Sequence, residues 1–187
     1  MTIAEPITRR WTRAEYYRLA EEGWFTGQRV QLIAGEILQS PRPSHAHSRT
    51  LHIAMCALTG IFPPLRVRPQ LPLNVPGESD PEPDLAIAER SIEEYNDHPT
   101  TAVLVMEIAD SSIQLDRRKA GVYALAAVPD YWIVNMNSCK LEVFREPVAD
   151  AGQEFGHCYA EQFELDETGF ISPLTAPNSK INVKTFF

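Results

Sequence analysis

Residues 101–135 constrain the fold more than any other part of the chain. An almost unbroken apolar run (101–109) leads into a helical segment (116–127), and that leads into a second apolar run (131–135). Runs this short cannot cross a bilayer. Apolar residues at consecutive positions, not alternate ones, mark strands covered on both faces. Two such strands joined by a helix form a strand–helix–strand unit, with a right-handed crossover and parallel strands. The expected class is therefore α/β: a central mixed β-sheet flanked by helices, with extra β-hairpins.

The flanking segments fit around this unit. Thr12 and Glu15 have capping-box spacing and open a helix reaching residue 20, with Gly23 suited to its stop. Runs 30–33 and 36–39, joined at Ala34-Gly35, form a hairpin. Leu51, Ala54, Met55 and Leu58 recur at helical spacing and predict a helix over 46–59, closed by Gly60. Segment 66–75 is expected as a strand with prolines at its edges, and 85–88 as a short strand after Pro-Glu-Pro-Asp. Asp116 is expected to cap the helix over 116–127, and 141–145 to pair with 131–135. From residue 158 onward a hairpin and an irregular tail are expected. With no internal repeat and no low-complexity linker, the chain is expected to be a single domain over 1–187.

Composition excludes some classes. At 187 residues and 44% apolar content, the chain can bury a core and is not a disordered one. The N-terminal basic residues are not followed by an apolar stretch, so no secretory leader and no membrane association are expected. Cys56, Cys139 and Cys158 lack paired spacing and are expected as reduced, mostly buried thiols, which indicates the cytoplasm. The net charge of −8 argues against a strongly basic nucleic-acid surface. Arginines do cluster at 9, 10 and 13, at 42 and 49, at 66 and 68, and at 117 and 118 beside Lys119.

Three residues stand out against this frame: Asp84 at the entry to a short strand, Glu107 inside an apolar strand, and Lys119 on the next helix. A carboxylate within such a strand needs a partner, because burying an uncompensated charge is costly. Each residue has a plain structural use. Asp84 suits a turn cap after Pro83, Glu107 a salt bridge to Arg117 or Lys119, and Lys119 an exposed helix position. Together they suit a hard divalent cation such as Mg²⁺ or Mn²⁺, bound by Asp84, Glu107 and the backbone carbonyl of Ile108. Lys119 would then orient or deprotonate an attacking water.

The segments VQLIAGEILQSP, PEPDLAI, VLVMEIADSS, LDRRKAGVYALAAVPDYWIVN and LEVFRE resemble the bacterial restriction-endonuclease-like family of the PD-(D/E)XK nuclease superfamily. The resemblance runs from about residue 11 to residue 145. It implies a metal-dependent nuclease acting on DNA, with Asp84 and Glu107 as the metal-binding acids. Ala109 stands where the superfamily pattern has its lysine, and Lys119 takes that role from the next helix. His47 matches a family histidine, and its expected role is contact with a phosphate or a metal-bound water. Two departures are that Gln31 occupies a position usually acidic, and that the loop before Lys119 is one residue short. A homodimer is expected, so that two sites address two strands. The rival expectation is a nuclease fold without catalysis, serving as an interaction module, which the acidic charge, Gln31 and the short loop favour. A nuclease acting on RNA or on a small phosphodiester is a third.

Overall fold

Thr12 starts the first helix as its spacing predicts. Its side chain accepts from the Glu15 backbone, and the Glu15 carboxylate takes the Thr12 N–H at 3.0 Å. In this computed structural model, which describes residues 7–187, that helix (α1) spans Arg13–Glu21. Residues 1–6, part of the segment on which the leader expectation rests, lie outside the described residues. β1 (Arg29–Ile33) and β2 (Glu36–Ser40) follow as an antiparallel hairpin. Its two-residue turn has Ala34 at φ 48° and Gly35 at φ 76°, the left-handed pair that matches strand twist in short hairpins. The second helix, α2 (His45–Thr59), is capped by Ser44, whose side chain accepts from the His47 N–H at 3.0 Å.

The central sheet has six strands: β3 (Val67–Pro69), β4 (Leu85–Ile87), β5 (Leu104–Ala109), β6 (Asp130–Asn135), β7 (Lys140–Ala149) and β8 (His157–Leu165), in that spatial order. β5 and β6 are parallel, and every other neighbouring pair is antiparallel. α3 (Ile113–Leu125) connects β5 to β6, which completes the expected strand–helix–strand unit. Every residue of β5 and of β6 is buried, as continuous apolar runs require. A small ribbon of β9 (Phe170–Ile171) and β10 (Ile181–Asn182) stands apart from this sheet.

Side chains alternate between the faces, so two cores form. Val105, Ile133, Tyr131 and Phe144 pack beneath α3. Leu104, Met106, Trp132 and Val143 pack against the α2 side, where Phe186 returns to close the core. Among the described residues, no helix is long and apolar enough to cross a membrane.

Four local expectations need correction. The strand expected over 66–75 is only Val67–Pro69, because Gln70 turns into the left-handed region at φ 48° and further prolines follow. Asp116 does not cap α3: the helix begins at Ile113 after Ser112, and Asp116 sits one turn inside it, buried. Residues after 157 do not begin with a separate hairpin, since only the later β9–β10 ribbon pairs within that segment. β8 pairs back along nearly the whole of β7, from Leu165 opposite Leu141 to His157 opposite Ala149. The cysteines are not mostly buried either, since Cys56 and Cys139 are exposed and Cys158 is half-buried.

Candidate active site

The period of β5 places Glu107 on the α3 side of the sheet, with Val105 and Ala109. Leu85 of β4 lies opposite Met106, so Asp84, one residue earlier, falls beside Glu107. The two acids are joined through the backbone. The Asp84 N–H donates to Glu107 Oε2 at 3.2 Å, and the Ile108 N–H donates to Asp84 Oδ2 at 2.9 Å. α3 supplies Lys119, whose Nζ lies 3.0 Å from Glu107 Oε1 and 3.4 Å from Asp116 Oδ1. The Tyr123 hydroxyl, one turn later, donates to the same Glu107 oxygen at 2.7 Å. α2 supplies His47, whose Nε2 lies 3.0 Å from Asp84 Oδ1. Asp84, Glu107, Lys119 and His47 are thus brought together, and the Ile108 backbone lies against Asp84 and the His47 ring.

These groups open onto a cavity of about 480 Å³ bounded by the β1–β2 hairpin, the start of α2 and the start of α3. A groove of equal volume lies between α3 and β7–β8. Its charged walls are already neutralised, with Arg117 on Glu142 at 2.8 Å and Arg118 on Glu154 at 2.6 Å. The first cavity instead carries an excess of negative charge. Glu82, Asp84, Glu107, Asp110 and Asp116 line it against Arg29, Arg42 and Lys119.

That imbalance shows in the protonation equilibria. Glu107, only 2% exposed, is pushed up to about 7, first by burial and then by the nearby Asp116 and Asp84 charges, which Lys119 only partly offsets. Burial also raises Asp116 and Glu82. Burial alone would lower Lys119, but Glu107, Asp116 and Asp84 reverse the effect and hold it firmly protonated. His47 is raised by its hydrogen bond to Asp84.

Three lining residues carry more weight than the sequence indicated. Asp116 lies three residues before Lys119 on one helical face, a spacing that signals such a pair. Glu82 lies two residues before Asp84 and so shares its side of the extended segment. Gln31 is 5% exposed, and its Oε1 is buried in the cavity wall without a hydrogen-bond partner among the described residues. Glu36 does not stand in for an acid at position 31, because it pairs with Arg10 and Arg118. Arg117 is bound to Glu142, so Lys119 is the cation on Glu107. Ser111 and Ser112 both line the cavity, and Ser112 donates to Asp116.

Among the described residues, no three His, Cys, Asp or Glu side chains form a ready-made metal cluster. The donor chemistry nevertheless suits a hard cation. The Asp84 carboxylate at the entry to β4, the Glu107 carboxylate on β5 and the amide oxygen of Gln31 share one negatively charged cavity.

The fold is shared with a solved structure described as a "putative nuclease belonging to DUF820" from Anabaena variabilis ATCC 29413. That chain superposes with a TM-score of 0.69 at 16% identity, over 97% of this chain and 98% of the other. No curated protein matches the chain. The family described as "Uma2: Putative restriction endonuclease" matches residues 13–183, and the chain therefore belongs to that family.

Proposed function

We propose that the protein is an endonuclease that hydrolyses DNA phosphodiester bonds with a divalent cation, Mg²⁺ or Mn²⁺, held by Asp84, Glu107 and the Ile108 carbonyl. The observation that carries this reading is the meeting of Asp84 and Glu107 in one cavity, with Lys119 3.0 Å from Glu107. A bound divalent cation supplies charge neutralisation at the phosphate and a more acidic water.

The remaining work falls to the chain's own groups. Arg29 and Arg42 at the cavity wall bind the substrate's phosphates. Lys119, held protonated by its three carboxylates, acts as a fixed positive charge facing the charge that develops on the phosphoryl oxygens, and not as a base. Tyr123 and Lys119 fix the rotamer of Glu107. His47, held against Asp84 at the cavity wall, contacts a phosphate or a metal-bound water. We read residues 1–187 as one nuclease domain, working in the cytoplasm as a homodimer so that each copy addresses one strand. The free thiols of Cys56, Cys139 and Cys158 are consistent with a reducing compartment.

The test is cleavage of supercoiled and linear duplex DNA with Mg²⁺, with Mn²⁺ and with EDTA. Asp84→Asn and Glu107→Gln keep the side-chain shape and are expected to lower cleavage by about 10²-fold or more. Circular dichroism checks that the fold is retained. Undiminished cleavage by both folded variants would overturn the assignment.

A second reading, a fold kept for interaction without catalysis, draws support from Asp84, whose oxygens are already engaged by the Ile108 N–H and His47. Metal titration separates the two readings. A catalytic site raises the melting temperature by mass action as Mg²⁺ or Mn²⁺ is added, and an interaction module does not.

A further inference from the structure

Away from the acidic cavity, on edge strand β3, Arg68 is 3% exposed and has no carboxylate within salt-bridge distance among the described residues. Other cations in the interior are neutralised: Lys119 by Glu107 and Asp116, and Arg145 by Asp130 at 2.8 Å. A guanidinium has five N–H donors. The hydrogen bonds of Arg68 both leave from Nη2, to the Pro72 carbonyl at 3.3 Å and to His98 Nδ1 at 3.3 Å. Its Nε is buried with no acceptor among the described residues. A buried, unpaired charge with idle donors is costly unless an anion completes it.

The surroundings supply room for one. Arg68 forms the wall of a cavity of about 360 Å³, together with Leu71 and the 92–98 loop, which brings Tyr95, Asn96 and His98 around it. Because Nδ1 of His98 accepts from Arg68, its ring proton sits on Nε2 as a further donor. One carboxylate, Asp97, stands at the same rim, where its Oδ1 is taken by the His98 N–H at 2.6 Å. Burial also lowers the Arg68 pKa, the penalty that a bound anion would relieve.

We propose that Arg68, with His98 and Asn96, forms a second binding site, which takes an oxyanion of the phosphate type. A guanidinium fork suits two oxygens of one phosphate. The cavity is larger than the ion, so the phosphate is either free or the terminal group of a larger molecule such as a 5′-phosphorylated strand end. The site is independent of the nuclease reading, because none of its residues lines the acidic cavity.

The test is calorimetry and thermal melting of the full chain in EDTA, with inorganic phosphate against chloride at equal ionic strength. Two further arms use a 5′-phosphorylated and a 5′-hydroxyl trinucleotide. The wild type is expected to bind phosphate and melt higher in it. Arg68→Gln should weaken that binding about tenfold or more. If Arg68→Gln does not fold, the exposed Asn96→Glu decides, since a negative charge at the mouth must weaken the anion. The double variant Arg29→Gln/Arg42→Gln removes the phosphate contacts proposed for the other cavity, and the share of binding that Arg68→Gln abolishes should persist in it. Tighter binding of the 5′-phosphorylated trinucleotide identifies a strand end as the source, and equal binding identifies the free ion. No phosphate effect in the wild type, an effect surviving both Arg68→Gln and Asn96→Glu, or one lost in the double variant overturns the proposal.

Discussion

At residue scale, Glu107 is legible because an acid inside a buried strand needs a partner, whereas Asp84 and Lys119, each with a plain structural use, are legible only in combination with it. Asp116 was not legible as a lining group. Its local sequence suits a cap, and only the fold reveals that it is buried beside Lys119 at 3.4 Å. Gln31 was legible as a departure from an acidic position, but not as a buried oxygen with nothing to accept from. That orphan supports a prediction. Gln31→Glu adds a carboxylate to a wall already shared by Glu82, Asp84 and Glu107, where like charges repel and burial penalises ionisation. In EDTA the variant should melt below the wild type, and Mg²⁺ should raise its melting temperature by more than it raises the wild type's. Equal melting of the two proteins under both conditions would exclude Gln31 from the cation's surroundings.

At the scale of elements, helices and hairpins with local signals came through: the Thr12/Glu15 box, the Ala34-Gly35 turn, and the doubly buried β5 and β6. The strand expected over 66–75 failed locally, at Gln70 and the prolines after it, while other features depended on distant partners. The length of β7 and β8 is set by their mutual pairing, and the hairpin β1–β2 forms a separate sheet that walls the cavity. Gly35 anchors that wall. A Cβ there would lie 2.7 Å from Arg10 Cβ and 3.0 Å from the Trp11 carbonyl, at a φ of +76°. Gly35→Ala is expected to cost about 1 kcal/mol or more in a urea titration, because both the backbone and the neighbours must give.

A second prediction concerns the tie between α3 and β7. Glu142 accepts from Arg117 Nε at 2.9 Å and Nη2 at 2.8 Å, and from Asn135 Nδ2 at 2.9 Å. Burial pulls the Glu142 pKa up, but these donors outweigh it and the net shift is below 4.5. A group depressed on folding stabilises the native state above its unfolded pKa and loses that contribution as pH falls through the folded value. Glu142→Gln should therefore lower stability at pH 7 and show a flatter decline than the wild type below about pH 4.5. Parallel denaturation curves for the two proteins across that range would remove Glu142 from the acid transition.

At the scale of the whole molecule, the net charge of −8 and the proposed DNA substrate seem opposed until the arginines are followed to their partners. Arg9 and Arg10 pair with Glu15 and Glu36, Arg117 with Glu142, and Arg118 with Glu36 and Glu154. Arg66 is spent on the Ala88 carbonyl at 2.7 Å. The basic clusters visible in the sequence are thus largely consumed in holding elements together. Of the cavity's lining residues, Arg29 and Arg42 are the cations without a salt bridge among the described residues. Each phosphate neutralised on a duplex contributes about −0.9 to the slope of log K against log salt, so two contacts give about −2. Binding of the cleavage-deficient Asp84→Asn protein to a labelled duplex, followed by fluorescence anisotropy over a salt series, should show that shallow slope. Arg29→Gln/Arg42→Gln should bring it close to zero. A slope several times steeper in the parent, or one unchanged in the double variant, would place the DNA on a basic surface other than this cavity.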